Sequence, residues 1–391
     1  MAAHGALSGV EPLRVTLVTH YYPAHRGGVE RVAGQLAERL GAAGIAKIDW
    51  HASDCDPPPA AAGLTATPAP AWNALERWPG VPYPLWNPAA LRRLARACRE
   101  SDIVHLHDCL YFPNVVAFRA AHRAQRPVLV TQHIGHVPYR SKLLRNLHQG
   151  ANRALGARVL GGADRVVFES ETVRQYFSRF VRFRRPAELV PNGVDTQRFR
   201  AAPDEERRAH RKRLGIPPDK PLLLFLGRFV EKKGLPVLRE LAGRMPSAHW
   251  LFAGWGPIDP ASWRLANTTV LQSPGTDQLS ALYQVADLLV LPSVGEGVPL
   301  SLQEAMACGT PALIGEDTAA GIPDSDEVLP RERVGDVGTA ERWAGRIEAL
   351  LRSAALAALR PRVAAFAREH WSWDTCVARY ADLLRECAGR R

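Results

Sequence analysis

At 391 residues the chain exceeds the size at which a single hydrophobic core keeps growing, so two domains are expected. Its 46% apolar and 23% charged residues are an ordinary globular composition, and no apolar run approaches the ~18 residues that cross a bilayer, which excludes a membrane-spanning class. The formal charge of +11 suits an anionic partner (nucleic acid, acidic lipid or a phosphorylated small molecule) without choosing among them.

In chain order, short Val/Ile/Leu-rich runs alternate with stretches of helical period. This is the pattern of βαβ units around a parallel sheet buried on both faces. RVTLVT (14–19) leads into a helix over GVERVAGQLAERL (28–40), and further strands are expected at 46–51, 102–107, 127–132, 164–169 and 187–191. The Pro- and Ala-rich stretch 56–72 reads as an exposed loop, and the charged segment 203–220, broken at Pro217 and Pro218, as a seam between domains. Strands resume at 221–227, 248–254, 268–273, 287–293 and 310–315. The expected architecture is α/β, with two doubly wound Rossmann-like domains facing each other across a cleft. Their expected extents are 1–200 and 201–370, and the amphipathic helix 371–387 either caps the second domain or packs back on the first. Six scattered cysteines with no C-x-x-C pair read as reduced thiols, and the opening MAAHGALSGVEPLR lacks the order of a signal peptide, so a cytoplasmic protein is expected.

Three stretches carry chemistry. After the first strand an eight-residue loop reaches Gly27 and Gly28 at a helix start, where backbone N–H groups and the helix dipole suit an anion; a plain turn is the alternative. FLGRFVEKKGLPVL (225–238) sets Arg228 past a buried strand and Lys233 before Gly234 and the next helix, two cations suited to a diphosphate, or else a solvated charge run. VGEGVPLSLQEAMACGTP (294–311) holds Glu296 and Glu304. On one helix they would stand about 12 Å apart along the axis, beyond the roughly 5–9.5 Å of paired glycosidase carboxylates. Gly295, Gly297 and Pro299 instead place Glu296 in a strand-to-helix loop, with the helix starting near Pro299 and Glu304 in its second turn.

GGVE (27–30), PNGVDTQRF (191–199), GRFVEKKG (227–234), AGWGP (253–257) and EGVPLSLQEAMACGTP (296–311) resemble, in order and spacing, the retaining glycosyltransferases of family 4, which have the GT-B fold. The resemblance covers nearly the whole chain. It implies transfer of a hexose-type sugar from a UDP- or GDP-sugar, without metal or other cofactor, to a glycan or lipid-linked acceptor held mainly by the first domain. By the same resemblance Glu304 accepts from ribose hydroxyls and Glu296 binds the transferred sugar. Gly297, Val298, Leu300 and Ser301, in the stretch after Glu296, bind the donor, with backbone N–H groups of the loop reaching the sugar and phosphate, and Arg228 and Lys233 neutralise the diphosphate. The Gly27–Gly28 loop closes on that diphosphate, and His133 in VTQHIGH is the active-site histidine. The family usually has an aromatic and a glycine after the first glutamate; Val298 and Pro299 stand there, and proline has no N–H to give. Retention likewise comes from the resemblance, since no carboxylate is placed as a nucleophile; a front-face route is the usual proposal.

HLHD (105–108) aligns His105 and His107 on one side of a strand, too few ligands for a metal, and suits a structural or acceptor-side role. Residues 140–185 hold eleven Lys or Arg against three acids, a net +8, which is either a solvated face or a surface for anionic lipid, making the protein peripheral on the inner face of a membrane. A nucleic-acid-binding protein would use Tyr176, Phe177, Phe180 and Phe183 as stacking platforms on that face, and a GT-B epimerase or phosphorylase is the nearer alternative. The Ala- and Arg-rich composition reads as bacterial, which favours a polysaccharide or glycolipid precursor as acceptor.

Overall fold

A computed structural model of the chain describes residues 11–25, 27–73, 83–135, 142–335, 337–352 and 354–389. They fall into two compact units: the first holds the described residues up to Glu169, Arg174–Val190 and the chain from Val377, and the second holds Ser170–Val173 and Pro191–Cys376.

The elements up to the second unit's sheet are β1 (Leu13–Val18), α1 (Gly28–Ala42), β2 (Ala46–Ser53), β3 (Leu64–Ala69), β4 (Ala71–Trp72), β5 (Leu85–Trp86), α2 (Pro88–Glu100), β6 (Ile103–His107), α3 (Phe112–Arg123), β7 (Val128–Gln132), α4 (Lys142–Ala151), α5 (Ala157–Gly162), β8 (Arg165–Phe168), α6 (Glu171–Ser178) and β9 (Glu188–Leu189). There follow α7 (Asp204–Arg213), β10 (Leu222–Arg228), α8 (Leu235–Arg244), β11 (His249–Trp255), β12 (Thr268–Gln272), α9 (Thr276–Val285), β13 (Leu288–Leu291), α10 (Leu300–Ala307), β14 (Ala312–Gly315), α11 (Glu316–Ala319), β15 (Arg331–Glu332), α12 (Thr339–Arg352), α13 (Ala355–Trp371) and α14 (Trp373–Cys387).

The first unit's sheet has the order β3-β2-β1-β6-β7-β8-β9 and the second's β12-β11-β10-β13-β14-β15, with every pairing parallel. Both are doubly wound α/β sheets, as the strand–helix alternation leads one to expect. The central strands are continuous apolar runs because helices cover both faces: Leu222–Phe225 of β10, and all of β13 and β14, are buried. In each sheet the chain winds outward on one side and then returns to the other side of its first strand. The reversals fall between β1 and β6 and between β10 and β13, the places where open α/β sheets leave a crevice at the carboxyl ends of their strands.

Two expectations change. Residues 56–72 are not all loop: Leu64–Ala69 (LTATPA) forms the outermost strand β3, in register with β2 from Ile48↔Leu64 to Ser53↔Ala69. An edge strand is half-exposed and tolerates Pro68, so it needs neither an apolar run nor a full set of donors. The charged stretch expected as a seam near 203 is instead helix α7 inside the second unit, and the chain leaves the first unit at Val190. Its order of charge explains the helix: Asp204, Glu205 and Glu206 in the first turn, and His210, Arg211, Lys212 and Arg213 in the last, oppose the helix dipole.

The end of α14 packs within the first unit. Tyr380 Oη lies 3.0 Å from Thr131 Oγ1, Arg379 pairs with Glu188 at 2.7 Å, and Leu383 and Leu384 are fully buried. Leu384→Ala should lower stability by about 2–5 kcal/mol, the usual cost of a core leucine. An unchanged denaturant midpoint would show that α14 is not part of this core.

Candidate active site

In the second unit the switch point is built by three segments. Strand β10 ends at Arg228, whose guanidinium lies 4.8 Å from the centroid of the Trp255 ring at the end of neighbouring β11. Gly254 permits that approach: its φ is +151°, and a Cβ there would collide with the Gly227 carbonyl oxygen. The chain then makes a short 3₁₀ turn, Glu231–Lys233, closed by Gly234 at φ +81°. A side chain at Gly234 would run into Pro292, so only glycine brings Lys233 against the end of β13.

After β13 the loop carries Glu296 to the same place. Lys233 Nζ donates to Glu296 Oε2 at 2.7 Å, and Lys232 Nζ stands 3.8 Å from Glu296 Oε1. Glu296 Oε1 is buried and has no hydrogen-bond partner among the described residues. An ammonium has three donors, so the bond to Glu296 leaves two of Lys233's for a ligand. Helix α10 begins with Pro299 as its N-cap, whose carbonyl accepts from the N–H groups of Leu302 and Gln303. The N–H groups of Leu300 and Ser301, in the first turn, have no intrahelical acceptor by position. Leu302, Gln303, Ala305 and Met306 are buried, whereas Leu300, Ser301 and Glu304 remain half-exposed on one face, as does Gly297 in the loop; Val298 packs into the core. Glu304 is oriented by Tyr283 of α9, whose hydroxyl donates to its Oε2 at 2.8 Å.

The first unit repeats the arrangement with different chemistry. Thr19, after β1, donates to Tyr21 O and accepts from Trp50 Nε1, and Tyr22 Oη donates to Trp50 O; these bonds anchor the loop that leads to Gly27 and Gly28. Gly28 begins α1, and the Glu30 carboxylate lies where a Cβ on Gly27 would fall. Beyond β6, Asp108 takes the left-handed backbone (φ +65°) open to aspartate, and its Oδ1 accepts from Gln132 Nε2 and the N–H groups of His133 and Ile134. His133 Nε2 lies 2.8 Å from His107 Nδ1, and its Nδ1 pairs with Glu169 after β8. Burial works to lower the His133 pKa, yet the Glu169, Asp108 and Glu30 carboxylates together raise it to about 9. Burial takes His105 down to about 3 and His107 well below its usual range; His105 is held by Thr131 Oγ1 at 2.8 Å, a structural role.

The residues singled out in sequence therefore form two groups, one in each unit: Arg228, Lys233, Glu296, Gly297, Leu300, Ser301 and Glu304, with Val298 behind them, and Gly27, Gly28 and His133. Sequence reasoning missed Tyr283, Trp255, Lys232 and Glu169. The aromatic platforms do not stand free: Phe177 is fully buried and stacks on Phe168 at 5.8 Å, while Tyr176, Phe180 and Phe183 pack around these two. Among the described residues no three His, Cys, Asp or Glu side chains are grouped to hold a metal.

Comparison with known proteins gives the same class. The family model "Glycosyltransferase Family 4" matches residues 26–198, and "Glycosyl transferases group 1" matches 206–370. A D-inositol 3-phosphate glycosyltransferase of Acidothermus cellulolyticus is 30% identical over 92% of this chain and 86% of its own length. A GDP-mannose-dependent alpha-(1-6)-phosphatidylinositol monomannoside mannosyltransferase of Mycobacterium tuberculosis is 29% identical over 95% and 98%. The chain belongs to the family-4 glycosyltransferases, which have the GT-B fold. Solved structures agree on that fold: sucrose-phosphate synthase from Thermosynechococcus elongatus has a TM-score of 0.73 at 20% identity, covering 96% of this chain and 98% of that one. HepE of Anabaena in complex with UDP-glucose has a TM-score of 0.69 at 16% identity, covering 96% and 100%.

Gly234→Ala should destabilise by more than about 1 kcal/mol, because φ is positive and Pro292 occupies the space. Gly243→Ala, in helix α8 with nothing within 4 Å, is the control and should gain about 0.5–1 kcal/mol. Equal thermal midpoints for the two variants would contradict the close approach of Lys233 to β13.

Proposed function

We propose that the second unit binds a UDP- or GDP-hexose and that the protein transfers the sugar, with retention and without a divalent metal, to a lipid-linked or cell-surface glycan precursor. The observation that carries this reading is the Lys233–Glu296 pair at the β10/β13 reversal. It puts next to each other a cation with donors to spare and a buried carboxylate oxygen still lacking one. A nucleotide diphosphate sugar supplies both complements: phosphate oxygens for Lys233 and Arg228, and a sugar hydroxyl for Glu296 Oε1. The Glu304 carboxylate, set by Tyr283, receives the ribose hydroxyls, and the Leu300 and Ser301 N–H groups at the start of α10 face the phosphate or sugar. Pro299 stands one position before those donors, so its missing N–H leaves them intact.

The chemical consequence is leaving-group stabilisation. As the anomeric C–O bond breaks, negative charge grows on the departing diphosphate, and fixed cations lower that barrier without a metal. No nucleophilic carboxylate is assigned; the leaving phosphate assists deprotonation of the acceptor hydroxyl on the same face of the sugar. The names of the relatives support a nucleotide-sugar donor and a lipid or polysaccharide acceptor. An epimerase or phosphorylase is separated by products: a transferase needs an acceptor to turn over.

Lys233→Ala and Glu296→Ala should each nearly abolish transfer while leaving the fold intact, and unchanged activity in both would sink the assignment. In a thermal-shift series, the cognate nucleotide at 100 times its Kd should stabilise the wild type by about 2.7 kcal/mol, with most of that lost in Lys233→Ala.

A lipid-linked acceptor has a physical counterpart in the first unit. No residue of α4 is buried; Leu143, Leu144 and Leu147 are exposed on it, with Leu155 just beyond, at 69%, 42%, 60% and 40%. Between residues 142 and 163 stand Lys142, Arg145, Arg153 and Arg158 and no acid; Arg140 lies outside the described residues. Arg165 and Arg184, farther along, are in ion pairs with Glu386 and Asp164, whereas the acid-free basic stretch runs through α4, the π-helical segment Asn152–Gly156 and α5. Leucines on a basic, acid-free helix suit an anionic bilayer surface. No helix among the described residues is long and apolar enough to cross one. Leu143→Ser with Leu147→Ser should cut sedimentation with phosphatidylglycerol vesicles by at least about tenfold. Sedimentation equal to wild type, or equal binding to phosphatidylcholine vesicles, would remove the membrane from the account.

A further inference from the structure

We propose that Glu169 is a positioning residue that fixes His133 as an imidazolium, so that the first unit presents at its β1/β6 reversal a permanent cation and not a general base. The geometry carries this. Both ring nitrogens of His133 are committed, Nδ1 to the Glu169 carboxylate and Nε2 to His107 Nδ1 at 2.8 Å, and neither is left to take a proton from an acceptor hydroxyl. In the charged form both nitrogens donate, so His107 must accept through Nδ1 and carry its own proton on Nε2. That Nε2 is buried without a partner among the described residues, and burial keeps His107 neutral.

Among the described residues, the ionisable groups that act on His133 come from three other elements. Glu30 comes from α1, Asp108 from the end of β6 and Glu169 from the end of β8, while His105 and His107 on β6 are the opposing imidazoles. Burial is the largest influence on Glu30 and Asp108 and raises the pKa of both, while Glu169 is the carboxylate in direct contact with a ring nitrogen. The backbone is fixed as well, since Asp108 Oδ1 accepts the His133 and Ile134 N–H groups. Glu30 ties the cation to the Gly27–Gly28 helix start, because its carboxylate interacts with His133 and lies against Gly27. A phosphate-bearing substrate is the class that such a charge and such a helix start recognise; this part rests on the nucleotide-sugar reading above.

Charge on His133 stabilises the folded state most fully below the unfolded value of about 6.5, and the contribution is lost as pH rises through about 9. The test is the pH titration of the His133 ring by imidazole ¹⁵N resonances, assigned among the 13 histidines by their absence in His133→Gln. In the wild type the ring should remain charged through neutral pH and lose its proton near 9. Glu169→Gln keeps shape and a hydrogen-bonding oxygen but removes the charge, and should move that midpoint down by at least about one pH unit. The alkaline limb of the kcat/KM profile should move with it, and Glu169→Asp should restore part of the shift. A wild-type midpoint at or below about 6.5 overturns the proposal, as does an unmoved midpoint in folded Glu169→Gln. The titration needs no substrate, so a protein that shows the shift but transfers no sugar would refute the transferase reading and leave the Glu169 assignment standing.

Discussion

The ion pair between Lys233 and Glu296 depends on a property of topology before it depends on either side chain. The second sheet reverses its winding between β10 and β13, and the segments leaving those two strands are the ones that carry the lysine and the glutamate. Gly234, at positive φ against Pro292, brings the turn close enough for a 2.7 Å contact. A half-buried cation and carboxylate held this way offset each other's desolvation and still have hydrogen-bonding capacity left over. Tyr283 and Glu304, with the N-terminal turn of α10, extend the same edge.

The first unit uses an identical winding for a different electrostatic end. At its reversal the helix start of Gly27 and Gly28 meets a buried carboxylate, Glu30, and beyond it the chain Glu169, His133 and His107. One unit thus sets a partly buried lysine against a single carboxylate near the exposed Arg228, while the other buries an imidazole among three carboxylates. Lysine suits the first task, as a point charge with rotatable donors, and histidine the second, because its charge is set by its neighbours.

Much of the fold was legible because parallel strands buried on both faces must be apolar runs: RVTLVT, DIVHLH, PLLLFLG and DLLVLPS each overlap an observed strand, with boundaries off by one or two residues. The strand-to-helix loop at Glu296 was legible from Gly295, Gly297 and Pro299, and the helix does begin at Leu300. Strand β3 was not, since an edge strand half in solvent leaves no apolar signature. Nor was α7, whose acids and bases read as a linker until their order along a helix is considered. The partners of the site residues were hidden for another reason. Glu169 meets His133 from the next strand and Tyr283 meets Glu304 from the preceding helix, contacts that only sheet order creates. Pro299 is the N-cap, so it has no N–H of its own to give while the donors of the following two residues are untouched.

The most direct test is a crystal structure of the protein with a nucleotide diphosphate bound. The diphosphate should lie at the β10/β13 reversal within hydrogen-bond reach of Lys233 and Arg228, with the ribose hydroxyls on Glu304. A nucleotide seated elsewhere in the second unit, with Lys233 and Glu296 still engaged only with each other, would contradict the account.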